Sequence, residues 1–226
     1  LKSFDGNVVG ITGSNGKTTT TKIISNVLSK SSSTLKNYNN EIGMPLSIFN
    51  AKQNSKNLVI EMGAAKPGDI NYLSSILKPD IGVITNIGNS HLEKLKNIKG
   101  VLKVKSELVS NIKKGGYLVV PNENKKHLKF WKKIIRGKEL ITFGTEKNAD
   151  FYAINIKSSI KKQEFNIISD KYNIDHKIKT SLSGAHNIKN ILASFAVSYL
   201  IENSPKLFNQ RLEKSTQVRQ KQQKWI

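Results

Sequence analysis

Three apolar residues, Val8, Val9 and Ile11, run straight into T-G-S-N-G-K-T at 12–18, after which Ile23, Ile24, Val27 and Leu28 recur at helical spacing. A buried strand, a glycine turn and a helix start, in that order, confine the chain to folds in which a helix N-terminus faces the end of a strand. That geometry aims backbone N–H groups and the positive end of the helix dipole at one point, which suits phosphate oxygens. Gly13 and Gly16 keep Cβ atoms out of the anion's path. Ser14, Asn15 and Thr19 complete the phosphate-binding stretch, with Lys17 reaching the terminal phosphates and the Thr18 hydroxyl able to ligate Mg²⁺. The spelling is not the commonest for such a loop, because Ile11 stands five residues before Gly16 and the nearest glycine is Gly10. The expected ligand is a nucleoside triphosphate.

Beyond this loop, short apolar runs at 58–60, 81–84, 117–120 and 140–143 alternate with helix-like stretches. The alternation predicts an α/β fold, a doubly wound and mostly parallel sheet carrying the P-loop. Across 151–181 apolar and polar residues alternate instead, as in Tyr152, Ile154, Ile156 and then Phe165, Ile167, which predicts a small antiparallel sheet. Ile188, Ile191, Leu192, Phe195, Ala196, Tyr199 and Leu200 predict a helix that Asn203-Ser204-Pro205 ends. One domain over 1–203 is expected, followed by a polar, basic and frayed tail at 204–226. The chain reads as one domain of something longer.

The formal net charge of +21 raises the question of nucleic acid. Its lysines are scattered over every segment and no nucleic-acid-reading motif accompanies them, so the charge reads as a solvated surface with some pull on acidic small substrates. No nucleic-acid partner is expected. No apolar run approaches the ~20 residues that span a bilayer, and no signal-peptide core opens the chain. The absence of cysteine excludes disulfides and thiolate metal sites and fits a reducing cytoplasm. A monomer is expected.

Open α/β sheets hold ligands at the ends of their strands, which singles out Glu61, His91 and Lys105. Glu61 ends L-V-I-E-M-G and is a Mg²⁺ ligand or a capping and salt-bridging group. His91 lies in T-N-I-G-N-S-H-L-E, as a ligand or as surface decoration. Lys105 interrupts the apolar stripe of Val101, Leu102, Leu108, Val109 and Ile112 on a helix expected over 100–112. A lysine there must snorkel, pair or lose its charge.

These residues resemble the Mur ligase family, ATP-dependent amide-forming enzymes of bacterial peptidoglycan synthesis, and in particular its MurF type. The resemblance covers about 8–200. It rests on T-G-S-N-G-K-T, on N-Y-N-N-E-I-G-M-P at 37–45, on E-M-G-A-A-K-P-G-D-I at 61–70, on T-N-I-G-N-S-H-L-E at 85–93 and on G-A-H-N-I-K-N-I-L-A-S at 184–194. It implies an ADP-forming ligase that adds D-alanyl-D-alanine to a UDP-N-acetylmuramoyl tripeptide through an acyl phosphate. Lys17 would then bind the β- and γ-phosphates, Thr18 and Glu61 would hold one Mg²⁺, and His91 would help hold a second. Lys105 matches the position at which the family carries a carbamylated lysine supporting that second metal. Asn187 and Asn190 would contact adenine, with Asn39, Asn40 and Asn86 nearer the peptide and metal side. The family's N-terminal UDP-sugar domain and C-terminal domain have no counterpart in this stretch, so nucleotide binding with little activity alone is expected. A folylpolyglutamate or cyanophycin synthetase-like ligase, or a non-catalytic nucleotide- or nucleic-acid-binding module, stands as the alternative.

Overall fold

The computed structural model describes residues 4–88, 95, 97–160 and 162–223, with side chains to residue 215. Nine strands form one sheet in the order β2-β3-β1-β4-β5-β6-β7-β8-β9. The first six are β1 (Asn7–Thr12), β2 (Ser31–Ser33), β3 (Asn57–Glu61), β4 (Ile81–Ile84), β5 (Tyr117–Pro121) and β6 (Glu139–Gly144). All pair in parallel, and β1 lies between β3 and β4. The chain thus places strands on both sides of β1, reaching the edge strand β2 before returning to β3, and then winds outward through β4, β5 and β6; the crevice at the C-terminal end of β1 is where such sheets hold ligands.

Side-chain alternation divides the interior into two cores, as the two-residue period of a strand requires. Val9, Ile11, Val59, Val83, Val119 and Ile141 face one way, under helices α1 (Lys17–Val27), α7 (Ala185–Glu202) and α8 (Pro205–Gln223). Val8, Leu58, Ile60, Ile84, Leu118 and Val120 face the other, under α2 (Gly43–Phe49), α3 (Asp69–Leu77), α4 (Ile98–Ser106), α5 (Leu108–Asn111) and α6 (Lys125–Ile134). With helices on both faces the inner strands read as continuous apolar runs, which made them visible in the sequence.

The remaining strands, β7 (Phe151–Ser158), β8 (Gln163–Ser169) and β9 (Ile174–Thr180), form the expected antiparallel group. They do not stand apart as a second sheet. A short parallel pairing, Phe143 with Phe151 and Gly144 with Tyr152, welds them to the edge of the main sheet.

Two expectations are corrected. The helix expected over 100–112 is two helices, α4 and α5, meeting at Glu107 and presenting one apolar face. The stretch after Lys206 is not frayed over its described side chains, since α8 docks by Phe208 and Leu212, both fully buried. Phe208 meets Phe195 edge-on at 5.0 Å between ring centroids, and Arg211 bonds the Val27 carbonyl and Glu202. Two apolar residues one turn apart are enough to anchor a helix against an existing core, although they leave no sustained period in a polar sequence.

Candidate functional site

Gly13 and Gly16 have φ of 149° and 82°, backbone that L side chains rarely adopt. A Cβ on Gly13 would run into the Thr85 hydroxyl and one on Gly16 into the Asn190 amide. The loop between them is held from the end of β4. Asn86 accepts from the Ser14 amide through its carbonyl (3.2 Å) and from the Asn15 amide through Oδ1 (2.8 Å), while the Thr85 hydroxyl donates to the Asn15 carbonyl (2.5 Å). Ser14 and Gly88 exchange two further bonds. The loop is thus preformed at the start of α1, whose first turn carries no acidic residue to compete with an anion.

Lys17 folds back over this loop, donating to the carbonyls of Gly13 (3.0 Å) and Ser14 (3.4 Å). Burial holds its pKa below the usual lysine range, against an opposing pull from Glu61. Thr18 is exposed and donates its hydroxyl to Glu61 Oε2 (2.8 Å), Asn39 donates to Glu61 Oε1 (2.8 Å), and Glu61 itself is only 2% exposed. A hydroxyl and a carboxylate oxygen side by side at the helix start are the hard oxygen donors that Mg²⁺ takes, so the residues fit that ion. Thr19 follows, half-buried, in the first turn of α1.

On one side of the loop lies a cleft of about 890 Å³ whose walls include Lys17, Asn39, Asn40, Asp69, Tyr72 and Lys105. Lys105 is 1% exposed, so of the alternatives left open by its place in an apolar stripe it does not snorkel to solvent. Its pKa falls to about 8 because burial disfavours the ammonium and Lys17 adds like charge, with Asp69 and Glu107 opposing. The two carboxylates also build the wall. Asp69 accepts from the amides of Ala65 (2.8 Å) and Lys66 (2.9 Å), and Glu107 reaches across from the α4–α5 junction to the amides of Gly68 (2.8 Å) and Asn71 (3.0 Å). Asn40 faces the same cleft and its Oδ1 caps the start of α2 through the Gly43 amide. Asp69, Tyr72 and Glu107 were not singled out in the sequence; G-D-I, where Gly68 leads into α3 at Asp69, was the available signal.

A second cleft of about 620 Å³ opens on the other side of the loop, among Asn15, Asn86, His127, His186, Lys189 and Asn190. Asn86 therefore faces this cleft and braces the loop, rather than lying toward the Lys105 side, because its backbone continues directly from β4 under Ser14. Asn190 is buried on α7 and ties the cleft to α1 through Thr20 (3.4 Å). Asn187 stands behind it, accepting from Asn190 (3.2 Å) and donating to the Ser183 carbonyl (2.7 Å), and is not among the lining residues. His127 packs edge-on to Trp131 with its pKa lowered by burial, and Lys189 pairs with Glu123. Neither histidine of this cleft was singled out in the sequence, because only folding brings α6 and α7 together here. His91 lies outside the described residues.

A parallel sheet with a preformed phosphate loop at its switch point, flanked by two polar clefts, defines a P-loop nucleotide-binding domain. Residues 11–198 match the family model of the Mur ligase middle domain, and the chain belongs to that family. It is 36% identical over 197 residues to the UDP-N-acetylmuramoyl-tripeptide–D-alanyl-D-alanine ligase of Buchnera aphidicola, an alignment covering 86% of this chain and 42% of that protein. MurF from Acinetobacter baumannii superposes with a TM-score of 0.86 at 26% identity, covering 94% of this chain and 46% of that one. MurF of Thermotoga maritima, solved with ADP, gives 0.82 at 29% identity, covering 94% and 49%. The chain spans less than half the length of these relatives. Among its described residues no helix is long and apolar enough to cross a membrane.

Proposed function

We propose that this chain is the nucleotide-handling middle domain of an ATP-dependent ligase that adds D-alanyl-D-alanine to a UDP-N-acetylmuramoyl tripeptide in the cytoplasmic steps of peptidoglycan synthesis, acting as a monomer and releasing ADP and phosphate. The observation that carries the reading is the preformed loop with Lys17, Thr18 and Glu61 at its centre and a separate cleft on each side. Two clefts meeting at one phosphate site are what a reaction between a nucleotide and an acceptor carboxylate requires. The nucleoside half belongs beside Asn190 and His186, and the acceptor beside Asn39, Asn40 and Lys105.

In this reading an oxygen of the tripeptide's terminal carboxylate attacks the γ-phosphorus and ADP leaves. The amine of the dipeptide then attacks the acyl phosphate carbon, loses a proton and expels phosphate. The loop amides and Lys17 meet the charge on the transferring oxygens, and the chain supplies alignment rather than a covalent nucleophile. Magnesium held by Thr18 and Glu61 would add charge neutralisation on the same oxygens. A carbamate on Lys105, with His91, would support a second such ion. An amine with its pKa near 8 is roughly one-tenth uncharged at pH 7, far more than an ordinary lysine, which gives CO₂ a neutral amine to react with, and it borders the same cleft as Lys17.

Calorimetry with ATP and Mg²⁺ tests the reading. The chain should bind the nucleotide, and Lys17→Ala should lose at least ~10-fold in affinity with its charge-assisted contact. Equal affinities for variant and parent would overturn it. Little amide formation is expected from the 226 residues by themselves.

A further inference from the structure

Seven of the fourteen residues from Lys125 to Lys138 are Lys or Arg and none is Asp or Glu, against 37 Lys and Arg in the 226 residues overall. The fold orders this run. Lys125, Lys129, Lys132 and Lys133 stand at i, i+4, i+7 and i+8 on α6, which the helical period places along one side, with Lys126 at its flank. Leu128, Trp131 and Ile134, at i+3, i+6 and i+9, pack the opposite side against the core. All five lysines are exposed, as is Arg136 just past the helix end. The loop that carries exposed Lys114 is tied to the same end, the Gly115 amide donating to the Gly137 carbonyl at 2.9 Å.

Cations elsewhere on the surface are answered by acids: Lys113 by Asp80, Lys171 by Asp150, Lys177 by Glu164 and Lys189 by Glu123. Among the described residues no carboxylate pairs with any cation of the α6 stripe. Repulsion along the stripe is thus left uncompensated within the fold, as suits a surface that meets an extended anion. Composition then selects the partner. A protein interface is built on apolar or aromatic anchors and is poor in lysine, and single-stranded nucleic acid needs aromatic side chains on which bases stack. No exposed large apolar residue lies in 125–138. The stripe offers ammonium groups alone, and anionic lipid headgroups, mobile in the plane of a bilayer, gather around such point charges without a fixed geometry. We infer that the α6 stripe is a docking surface for an anionic phospholipid bilayer, which holds the protein at the membrane surface by charge while the apolar side of α6 stays in the protein core. The inference goes beyond the ligase reading and does not depend on it.

Co-sedimentation of the whole polypeptide, expressed from its own gene, with lipid vesicles tests this. The protein should sediment with vesicles of mixed phosphatidylglycerol and phosphatidylcholine but not with phosphatidylcholine alone, and added salt should release it. Lys129→Glu with Lys132→Glu and Lys133→Glu should cut partitioning at least ~10-fold, with thermal midpoint and ADP affinity as in the parent, since all three side chains are exposed and none lines a cleft. Lys157→Glu with Lys162→Glu and Lys179→Glu, a variant of equal net charge altered at exposed lysines of the antiparallel strands, should keep most of the binding. Three Lys→Gln changes at 129, 132 and 133 should give a smaller loss in the same direction. Failure to bind the anionic vesicles, or equal losses in the two Glu variants, would overturn the inference. Tighter binding to duplex or single-stranded RNA than to the vesicles, lost in the α6 variant, would also overturn it and assign the stripe to nucleic acid.

Discussion

The C-terminal edge of the parallel strands and the antiparallel group β7–β9 are built from one lysine-rich sequence, yet they treat charge in opposite ways. At the strand ends Lys17 and Lys105 are withdrawn from solvent and both have lowered pKa values. On the antiparallel strands Lys177 stands in water and pairs with Glu164 at 3.0 Å, which holds that carboxyl below its usual range. With a net charge of +21 the number of cations says little about function; desolvation of particular ones says much more. Neutral amides follow the same division. Asn86 and Asn190 are fixed around the phosphate loop, whereas Asn166 bonds Asp175 on an exposed ladder.

The largest effect that would sharpen this contrast is expected at Gly16. Gly16→Ala places a Cβ at φ 82° against the Asn190 amide. Nucleotide binding should be lost, together with about 1–3 kcal/mol of stability. Calorimetry and urea unfolding check both, and a variant that binds ADP like the parent would break the claim that the loop is sterically preformed.

Lys105 comes next. Its folded pKa of about 8 lies below the ordinary lysine value of 10.5, so between those values the unfolded chain binds more protons and stability rises with pH. Below pH 8 the ammonium is carried in both states and its burial cost is present in full; that cost fades as pH rises through the folded pKa. Urea unfolding of the parent and Lys105→Met in CO₂-free buffer should therefore show the variant more stable at pH 7, by up to roughly 3 kcal/mol, and the gap closing by about pH 10. Parallel pH profiles would remove Lys105 from the comparison.

A smaller effect is expected at the loop brace. Asn86→Ala removes the Oδ1 bond to the Asn15 amide but leaves the backbone bond to Ser14. About 1 kcal/mol of loop ordering should go, read as a several-fold loss in nucleotide affinity at unchanged fold. Lys177→Ala should do least of all, because an exposed pair adds almost nothing measurable to a folded chain. A clear drop in its thermal midpoint or ADP affinity would show that the antiparallel strands feel the site after all.

Local pattern by itself determined the glycine loop between a strand and a helix, the inner strands, the alternation of β8, the stop at Asn203 and the position of Lys105 in an apolar stripe. Each of these is a periodicity or a turn requirement that a short window of residues contains in full, and burial direction follows from it. Tertiary structure alone decided the rest. β2 is three serines with no apolar signal, made a strand by the open edge of β3. α8 is held by Phe208 and Leu212 against a core formed far earlier in the chain. Glu61 is oriented by Asn39 and Thr18, 22 and 43 residues away, and the α3 end of the cleft beside Lys105 is pinned by Glu107, 39 residues beyond Gly68. Hydrogen bonds of that span depend on which surfaces the packed sheet brings together, and no local window of sequence records that choice.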